Sequence, residues 1–143
     1  MKLRDIMTQS VIRIHPEESA AVAARTMEHY NIGMLPVCGS DGSLWGLLTD
    51  RDLVIRCMAS GKTPDNTTVR EIMTTQVICA KANMDIGVAA GLMGREQIRR
   101  LPVVENGKLC GMVSLGDLAR RESSVYDAAD ALMEISSPVS ARK

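Results

Sequence analysis

Aromatic side chains are almost absent from this sequence. They make up 2% of the 143 residues, and phenylalanine does not occur. Lysines and arginines number 17, as do aspartates and glutamates, so the formal net charge is zero. Because there is neither a basic excess to hold a polyanion nor a supply of rings on which bases stack, generic nucleic-acid binding is disfavoured.

Long apolar runs and paired cysteines are missing as well. No run approaches the ~20 apolar residues of a membrane-spanning helix, and the first five residues do not lead into the apolar core of a signal peptide. We therefore expect a cytoplasmic protein without a membrane partner. Four cysteines are widely spaced with no Cys-x-x-Cys pair, and we expect them to be reduced and apolar: Cys38, Cys57, Cys79 and Cys110.

The chain contains an internal duplication. Shifted by 66 residues, the opening segment at 4–8 (Arg-Asp-Ile-Met-Thr) falls on 70–74, and Leu-Pro-Val at 35–37 falls on 101–103. Further on, Gly-x-x-Thr-x-x-Asp at 46–52 corresponds to Gly-x-x-Ser-x-x-Asp at 111–117. We assign the first repeat to residues 3–60, the linker to 61–68, the second repeat to 69–122 and the tail to 123–143.

Each repeat predicts the order β-α-β-β-α, which is a mixed α/β (α+β) fold. In the first repeat we expect an extended run at 11–14 and a helix from 19 to about 31. Two hairpin strands follow at 34–38 and 44–48, and a second helix runs from 50 to about 59. In the second repeat, Glu105-Asn106-Gly107 predicts a tighter hairpin turn. One repeat alone would bury little apolar surface, so we expect the two to pack together about a pseudo-twofold axis.

Two further surfaces have open interpretations. The first helix of each repeat is rich in small residues and would fit either a homodimer interface or ordinary core packing: Ala23, Ala24 and Met27, and Ala89, Ala90 and Met93. The tail carries an apolar stripe that predicts a helix to about Glu134: Val125, Ala128, Ala129, Leu132 and Met133. This stripe would pack on its own chain or on a partner.

The Gly-x-x-Thr/Ser-x-x-Asp motif also has two interpretations. A hydroxyl at the point where a strand meets a helix caps the helix, or offers itself with the backbone N–H groups to an anion. A carboxylate one turn further on accepts hydrogen bonds from a diol such as a ribose. In the plainer interpretation, Thr49 and Asp52 only form a capping box. The presence of two copies favours the ligand-binding interpretation.

Together, the paired repeats, the Ile-Met-Thr openings, the Leu-Pro-Val strands and the final motifs resemble the tandem CBS domain, named after cystathionine β-synthase. The resemblance covers about residues 3–122, and the chain looks like small stand-alone CBS-pair proteins such as bacterial hypoxic-response proteins. It implies a regulatory module rather than an enzyme, with an adenosine-bearing ligand in the cleft between the repeats. AMP, ADP and ATP are the first choices, NAD and S-adenosylmethionine are further options, and no cofactor is required.

The resemblance also implies site residues. The first site would use Thr49 and Asp52, with Arg99, Arg100 and Pro102 across the cleft and Val77 and Ile78 near the base. The second would use Ser114 and Asp117, with Gly33, Met34 and Pro36 across the cleft and Val11 and Ile12 near the base. Arginine matches phosphate geometry, so the first site would hold phosphate better. Since neighbouring strand residues point to opposite faces, we expect only one of the two arginines to reach the ligand, and the resemblance to the family favours Arg100.

Other functions remain open. A ligand-free scaffold or homo-oligomerisation module, homodimeric through the helices of the repeats and addressing an unknown protein target, is the main alternative. A thiol or metal sensor that uses Cys38 with His15 or His29 has no spacing signature behind it. Catalysis is the weakest interpretation, because neither histidine has a nucleophile partner in the sequence and the glycines form neither a P-loop nor a dinucleotide fingerprint.

Overall fold

A computed structural model describes residues 1–121 and 123–138 of the chain. Its helices are α1 (Ala20–Tyr30), α2 (Asp50–Asp52), α3 (Val69–Ile72), α4 (Ile86–Glu96), α5 (Leu115–Ala119) and α6 (Val125–Ile135). Its strands are β1 (Met34–Cys38), β2 (Leu44–Thr49), β3 (Arg100–Glu105) and β4 (Lys108–Ser114). After α2 the chain continues as a π-helix over Leu53–Met58, and short 3-10 turns cover Leu3–Asp5 and Pro64–Asn66. The mixed α/β fold with two repeats is confirmed.

Each repeat contributes one two-stranded sheet, in which β1 pairs with β2 and β3 pairs with β4. The extended run expected at 11–14 does not become a strand. Only Ile14 bridges to Val37, in parallel, and Ala80 bridges to Val103 in the same way. Pro16 ends the first of these runs two residues later, because its nitrogen has no hydrogen to donate to a ladder.

The second hairpin has the tight turn expected from its sequence. Asn106 and Gly107 have φ angles of 53° and 78°, both in the left-handed region. Two successive residues with positive φ are what a type I′ turn requires, and Asn-Gly is the pair that adopts it most readily.

The chain divides into two compact units that cross the repeat boundaries. The first unit comprises residues 12–77 with 107–109, and the second comprises residues 1–11, 78–106 and the chain from Cys110 onward. The opening segment of the first repeat thus belongs to the second unit. The opening segment of the second repeat belongs to the first unit.

In the second unit, the opening segment completes the core of the second repeat. Leu3 and Ile6 lie in one apolar cluster with Ala89, Met93 and Leu101. The backbone is joined as well, since the amide of Leu3 donates to the carbonyl of Met84 at 2.9 Å and Thr8 bridges to Met112. Burial of these apolar side chains is the main force that holds the segment in place.

In the first unit, α3 and the residues after it play the equivalent part. Val69 and Ile72 are fully buried against Ala23, Met27 and Leu35. Among the small residues of the first helices, Ala23 and Met27, and Ala89, Ala90 and Met93 in the second unit, pack in the cores, while Ala24 is exposed. Core packing therefore accounts for most of the small-residue faces.

The tail packs on its own chain. Helix α6 lies against α4 and α5, with Ala128 and Ala131 buried beneath it. The buried hydroxyl of Ser124 donates to the carbonyl of Leu118 at 2.7 Å just before the helix begins. Of the predicted apolar stripe, Ala128 is buried, whereas Val125, Ala129, Leu132 and Met133 are exposed, so most of the stripe is not covered as expected.

Candidate functional site

The repeated motif forms the same junction in both units. In the first unit the Oγ1 of Thr49 accepts a hydrogen bond from the amide of Asp52 at 3.1 Å, and the Oδ2 of Asp52 accepts one from the amide of Thr49 at 3.0 Å. In the second unit Ser114 and Asp117 make the same two bonds at 3.1 and 2.8 Å. The geometry in each unit is a capping box, which satisfies backbone donors at the start of a helix.

The carboxylate of Asp52 is also engaged by other residues of its unit. Thr74 places its hydroxyl 3.3 Å from Oδ2, and the Nε of Arg56 lies 3.8 Å from Oδ1. Arg56 is held in turn, because its Nη1 donates to the carbonyl of Met73 at 2.9 Å. Asp52 is 8% exposed. A ligand diol would therefore have to displace Thr74 or Arg56 to reach this carboxylate.

The carboxylate of Asp117 has a different partner. The Nη2 of Arg120 lies 2.5 Å from its Oδ1, one turn further along the chain. These two side chains line a polar pocket of about 230 Å³ together with Ile6 and Arg121. Since Arg120 is largely exposed, it can leave Asp117 at small energetic cost.

A larger cavity, of about 560 Å³, lies in the second unit between the end of β4, α5 and α6. Both Arg99 and Arg100 line it beside Ser114, whereas the expectation that only one of them reaches a ligand concerned the site of Thr49 and Asp52 and stays a prediction. Strand β3 begins at Arg100, so Arg99 precedes it and the alternation of a strand does not apply. Besides the two arginines, the lining consists of Ser114, Leu115, Gly116, Ala119, Val125, Ala128, Ala129 and Leu132.

The two arginines are free to meet an anion. Within residues 1–121 and 123–138, neither guanidinium forms an ion pair with a carboxylate. The backbone beneath them is fixed, because the amide of Leu115 donates to the carbonyl of Arg99 at 2.8 Å. Guanidinium groups present planar, bidentate donors to carboxylate or phosphate.

The remaining predicted site residues divide between the units. The first unit holds Thr49, Asp52, Val77, Ile12, Gly33, Met34 and Pro36, and the second holds Arg99, Arg100, Pro102, Ile78, Ser114, Asp117 and Val11. Within the first unit, Met34 pairs with Thr49 across the hairpin. Pro36 and Pro102 are buried, and their carbonyls accept from the amides of Ile14 and Ala80. The assignment of Arg99, Arg100 and Pro102 to the site of Thr49 and Asp52 stays a prediction.

Sequence reasoning missed two features of these sites. It did not pair Asp52 with Arg56, although a spacing of four residues places both on one helical face. It also did not place the tail at the cavity. The repeated Ile-Met-Thr openings were visible, but nothing in the sequence indicates that Thr74 reaches Asp52 in the preceding repeat.

His15 forms a hydrogen bond with a hydroxyl group, but the direction of that bond does not suit catalysis. Its Nδ1 accepts from the amide of Glu17 at 3.2 Å, which places the proton of the neutral ring on Nε2. Nε2 then donates to the Oγ of Ser40, 3.3 Å away. A general base would have to accept the proton of that hydroxyl. This arrangement gives no activated nucleophile.

The cysteines differ in exposure. Cys38 and Cys57 are buried as expected, whereas Cys79 is exposed and Cys110 is half-buried. Burial raises the pKa of the Cys38 thiol, partly offset by Arg13, and burial also raises the pKa of Cys110. Within the described part of the chain, no group of three or more His, Cys, Asp or Glu side chains is placed to hold a metal ion.

Comparison with known proteins identifies the family. The model of the CBS domain matches residues 3–58 and 69–124, so this chain belongs to the CBS domain family and carries two copies of the domain. The chain is 40% identical over 134 residues to the CBS domain-containing protein YhcV of Bacillus subtilis, covering 94% of each chain. It is 38% identical to hypoxic response protein 1 of Mycobacterium tuberculosis, over 82% of each chain.

Solved structures agree with the family. A crystal structure of hypoxic response protein I with two coordinated zinc ions is 37% identical, with a TM-score of 0.78 over 85% of this chain and 98% of that one. The CBS domain pair of protein MJ0100, in complex with 5′-methylthioadenosine and S-adenosyl-L-methionine, is 30% identical, with a TM-score of 0.72 over 84% of this chain and 94% of that one. No described helix is long and apolar enough to cross a membrane.

Proposed function

We propose that this protein is a non-catalytic regulatory module that binds an adenosine-containing ligand, with AMP, ADP and ATP as the first candidates. The observation that carries the proposal is the motif junction, where a hydroxyl and a carboxylate meet at the start of a helix in each unit. A carboxylate in such a place is suited to the two hydroxyls of a ribose. The complex of MJ0100 with adenosine-bearing molecules supports the same ligand class.

The charged groups favour a phosphorylated ligand. Arg99 and Arg100 stand beside Ser114 without a carboxylate partner in residues 1–121 and 123–138. The equivalent positions in the first repeat are Gly33 and Met34, which carry no charge. A nucleotide phosphate would therefore bind at the arginines, and its ribose at Asp117 of the same unit.

Regulation would follow from linkage. A ligand that binds only the folded arrangement stabilises it by about 2.7 kcal/mol at a concentration of 100 times the dissociation constant. Binding at Asp117 or Asp52 would also break existing contacts, with Arg120 or with Thr74 and Arg56. The rearrangement of those residues is the signal that a partner protein would detect.

A thermal-shift titration with AMP, ADP, ATP, NAD and S-adenosylmethionine tests the proposal. For a chain of this size, 2.7 kcal/mol corresponds to a rise in melting temperature of roughly 5–10 °C. Asp52→Asn and Asp117→Asn keep an oxygen for the cap but remove the charge, and one of them should abolish the shift. Asp65→Asn, an exposed control in the first unit, should not.

The proposal is overturned if none of these ligands raises the melting temperature. It is also overturned if the rise survives both Asp52→Asn and Asp117→Asn. In the second case the nucleotide binds elsewhere, and the repeated motif serves only as a cap.

A scaffold function is the second candidate, because an apolar face lies open in the first unit. Val54, Ile55 and Met58 on the π-helical turn, and Tyr30 at the end of α1, are all exposed. A homodimer would remove these side chains from water. Sedimentation equilibrium of the wild type and of an Ile55→Asp, Met58→Asp double variant tests this: a dimer that dissociates in the variant supports the scaffold, and a wild-type monomer contradicts it.

A further inference from the structure

The cavity of the second unit has two chemically unlike walls. On one side stand Arg99, Arg100 and Ser114, and on the other the aliphatic face of α6 with Val125, Ala129 and Leu132. Its volume of about 560 Å³ lies in the range of small-molecule sites in proteins. Neither the CBS repeats nor the motif junction accounts for the second wall, because α6 lies beyond the repeats.

The polar wall is suited to one small anionic group. Two guanidinium groups face the cavity without a carboxylate partner in residues 1–121 and 123–138. The Oγ of Ser114 already accepts from the amide of Asp117, so its own hydrogen remains available for donation to an anion. All three groups would donate hydrogen bonds, and none would repel a negative charge.

The opposite wall is suited to a saturated carbon chain. Val125 and Leu132 are 38% and 42% exposed although α6 is seated against α4 and α5. An apolar group that entered the cavity would remove these side chains from water. Among the described lining residues there is no aromatic ring on which a base could stack, and Ser114 is the one side chain besides the arginines with a hydrogen-bonding group.

We propose that this cavity binds an aliphatic anion, such as a medium-chain fatty acid or an alkyl phosphate, with its charged head at Arg99 and Arg100 and its chain along α6. The proposal does not depend on the nucleotide function proposed above, but both ligands would use Arg99 and Arg100, so an aliphatic anion and a nucleotide phosphate would compete there. Because the alkyl chain of the ligand would contact both α6 and the rest of the unit, the bound ligand would also stabilise the packing of α6 on that unit.

Isothermal titration calorimetry of the full chain with hexanoate, octanoate and decanoate, all below their micellar concentrations, tests the proposal. Each buried methylene should tighten binding about fourfold. The double variant Arg99→Ala, Arg100→Ala should weaken decanoate binding at least tenfold, with Arg95→Ala as an exposed control on α4 that binds as the wild type does. Decyl phosphate in a parallel arm distinguishes a phosphate head from a carboxylate head.

A second pair of variants tests the aliphatic wall. Leu132→Ser should weaken decanoate several-fold, while its exposed neighbour Met133→Ser, which does not line the cavity, should not. Both variants keep the buried contacts of Ala128 and Ala131, and circular dichroism verifies that they fold.

Affinity independent of chain length, or inorganic phosphate binding as tightly as decyl phosphate, would show that the arginines bind an adventitious ion only and would overturn the proposal. The proposal would also be overturned if the arginine and Leu132 variants bound decanoate as tightly as the wild type does. Asp52→Asn separates the two functions: it lies in the first unit and leaves decanoate affinity unchanged, whatever it does to nucleotide binding.

Discussion

The hydroxyl of Thr74 lies 3.3 Å from the Oδ2 of Asp52. Thr74 is the last residue of the opening segment of the second repeat, and Asp52 ends the motif of the first, yet both belong to one compact unit. The backbones of Thr74 and Leu47 are also paired, at 2.8 and 2.9 Å. The motif aspartate therefore fastens one repeat's opening segment to the other repeat's hairpin.

Removal of the Asp52 carboxylate should destabilise the protein as well as affect a ligand. We expect Asp52→Ala to lower the free energy of unfolding by about 1–2 kcal/mol, because the cap and the partner of Thr74 are lost together. Urea denaturation measures this. Asp65→Ala, at an exposed position, should change it by less than about 0.5 kcal/mol. Thr74→Val should cost less in the Asp52→Ala background than alone, and equal costs would contradict the coupling.

The first glycine of each motif should tolerate a methyl group differently. A Cβ on Gly46 would lie 2.4 Å from the backbone oxygen of Thr74, whereas one on Gly111 would lie 2.5 Å from the Sδ of Met7 and farther, at 3.1 Å, from the backbone oxygen of Thr8. A flexible methionine end can move, but a paired backbone carbonyl cannot. We expect Gly46→Ala to lower the free energy of unfolding by about 1–3 kcal/mol and Gly111→Ala by less. Urea denaturation of both variants would refute this if their order were reversed.

Two glycines of α4 allow a controlled test of how closely α6 packs against α4. A Cβ on Gly91 would meet only the end of Arg95, at 3.3 Å, while one on Gly94 would lie 3.2 Å from the Cα of Ala131. Gly91→Ala should therefore gain up to about 1 kcal/mol of helix propensity. In Gly94→Ala, the clash with Ala131 should cancel the gain in helix propensity and weaken the packing of α6. Hydrogen exchange of the amides in 125–135 should be faster in Gly94→Ala than in Gly91→Ala. Equal exchange in both variants would contradict the close packing of α6 against Gly94.

The thiols should react in the order of their exposure. Cys79 is exposed, while burial raises the pKa of Cys38, which leaves little thiolate at neutral pH. Iodoacetamide at pH 7.5 should label Cys79 first and Cys38 only after unfolding, as read by peptide mass spectrometry. Early labelling of Cys38 would show that its environment opens in the native state.

The raised pKa of Cys38 also has a consequence for stability. The folded thiol holds its proton more tightly than the unfolded one, so its contribution is complete below the ordinary value of 9.0 and is lost as pH rises through the folded pKa. The free energy of unfolding should thus fall on the alkaline side of about pH 9. Cys38→Ala should flatten that fall, and an identical slope in wild type and variant would argue against it.

Much of the chain could be predicted from its residues because the signals are local. The duplication, the helix capped by Ser19, the hairpins and the Asn106-Gly107 turn follow from periodicity, capping chemistry and positive-φ preferences, which depend on near neighbours. The capping box at Thr49 and Asp52 was also readable from spacing alone. The choice of ligand was not, since the same residues satisfy the backbone and could serve a ribose.

Only the tertiary structure decided which segments share a core. Two similar repeats carry similar apolar faces, so the sequence does not distinguish a repeat that packs with its own opening segment from one that packs with the other's. The structure places Leu3 and Ile6 in the core of the second repeat. The seat of α6 likewise depends on long-range packing against α4, because an amphipathic stripe specifies that a face is buried but not against which surface.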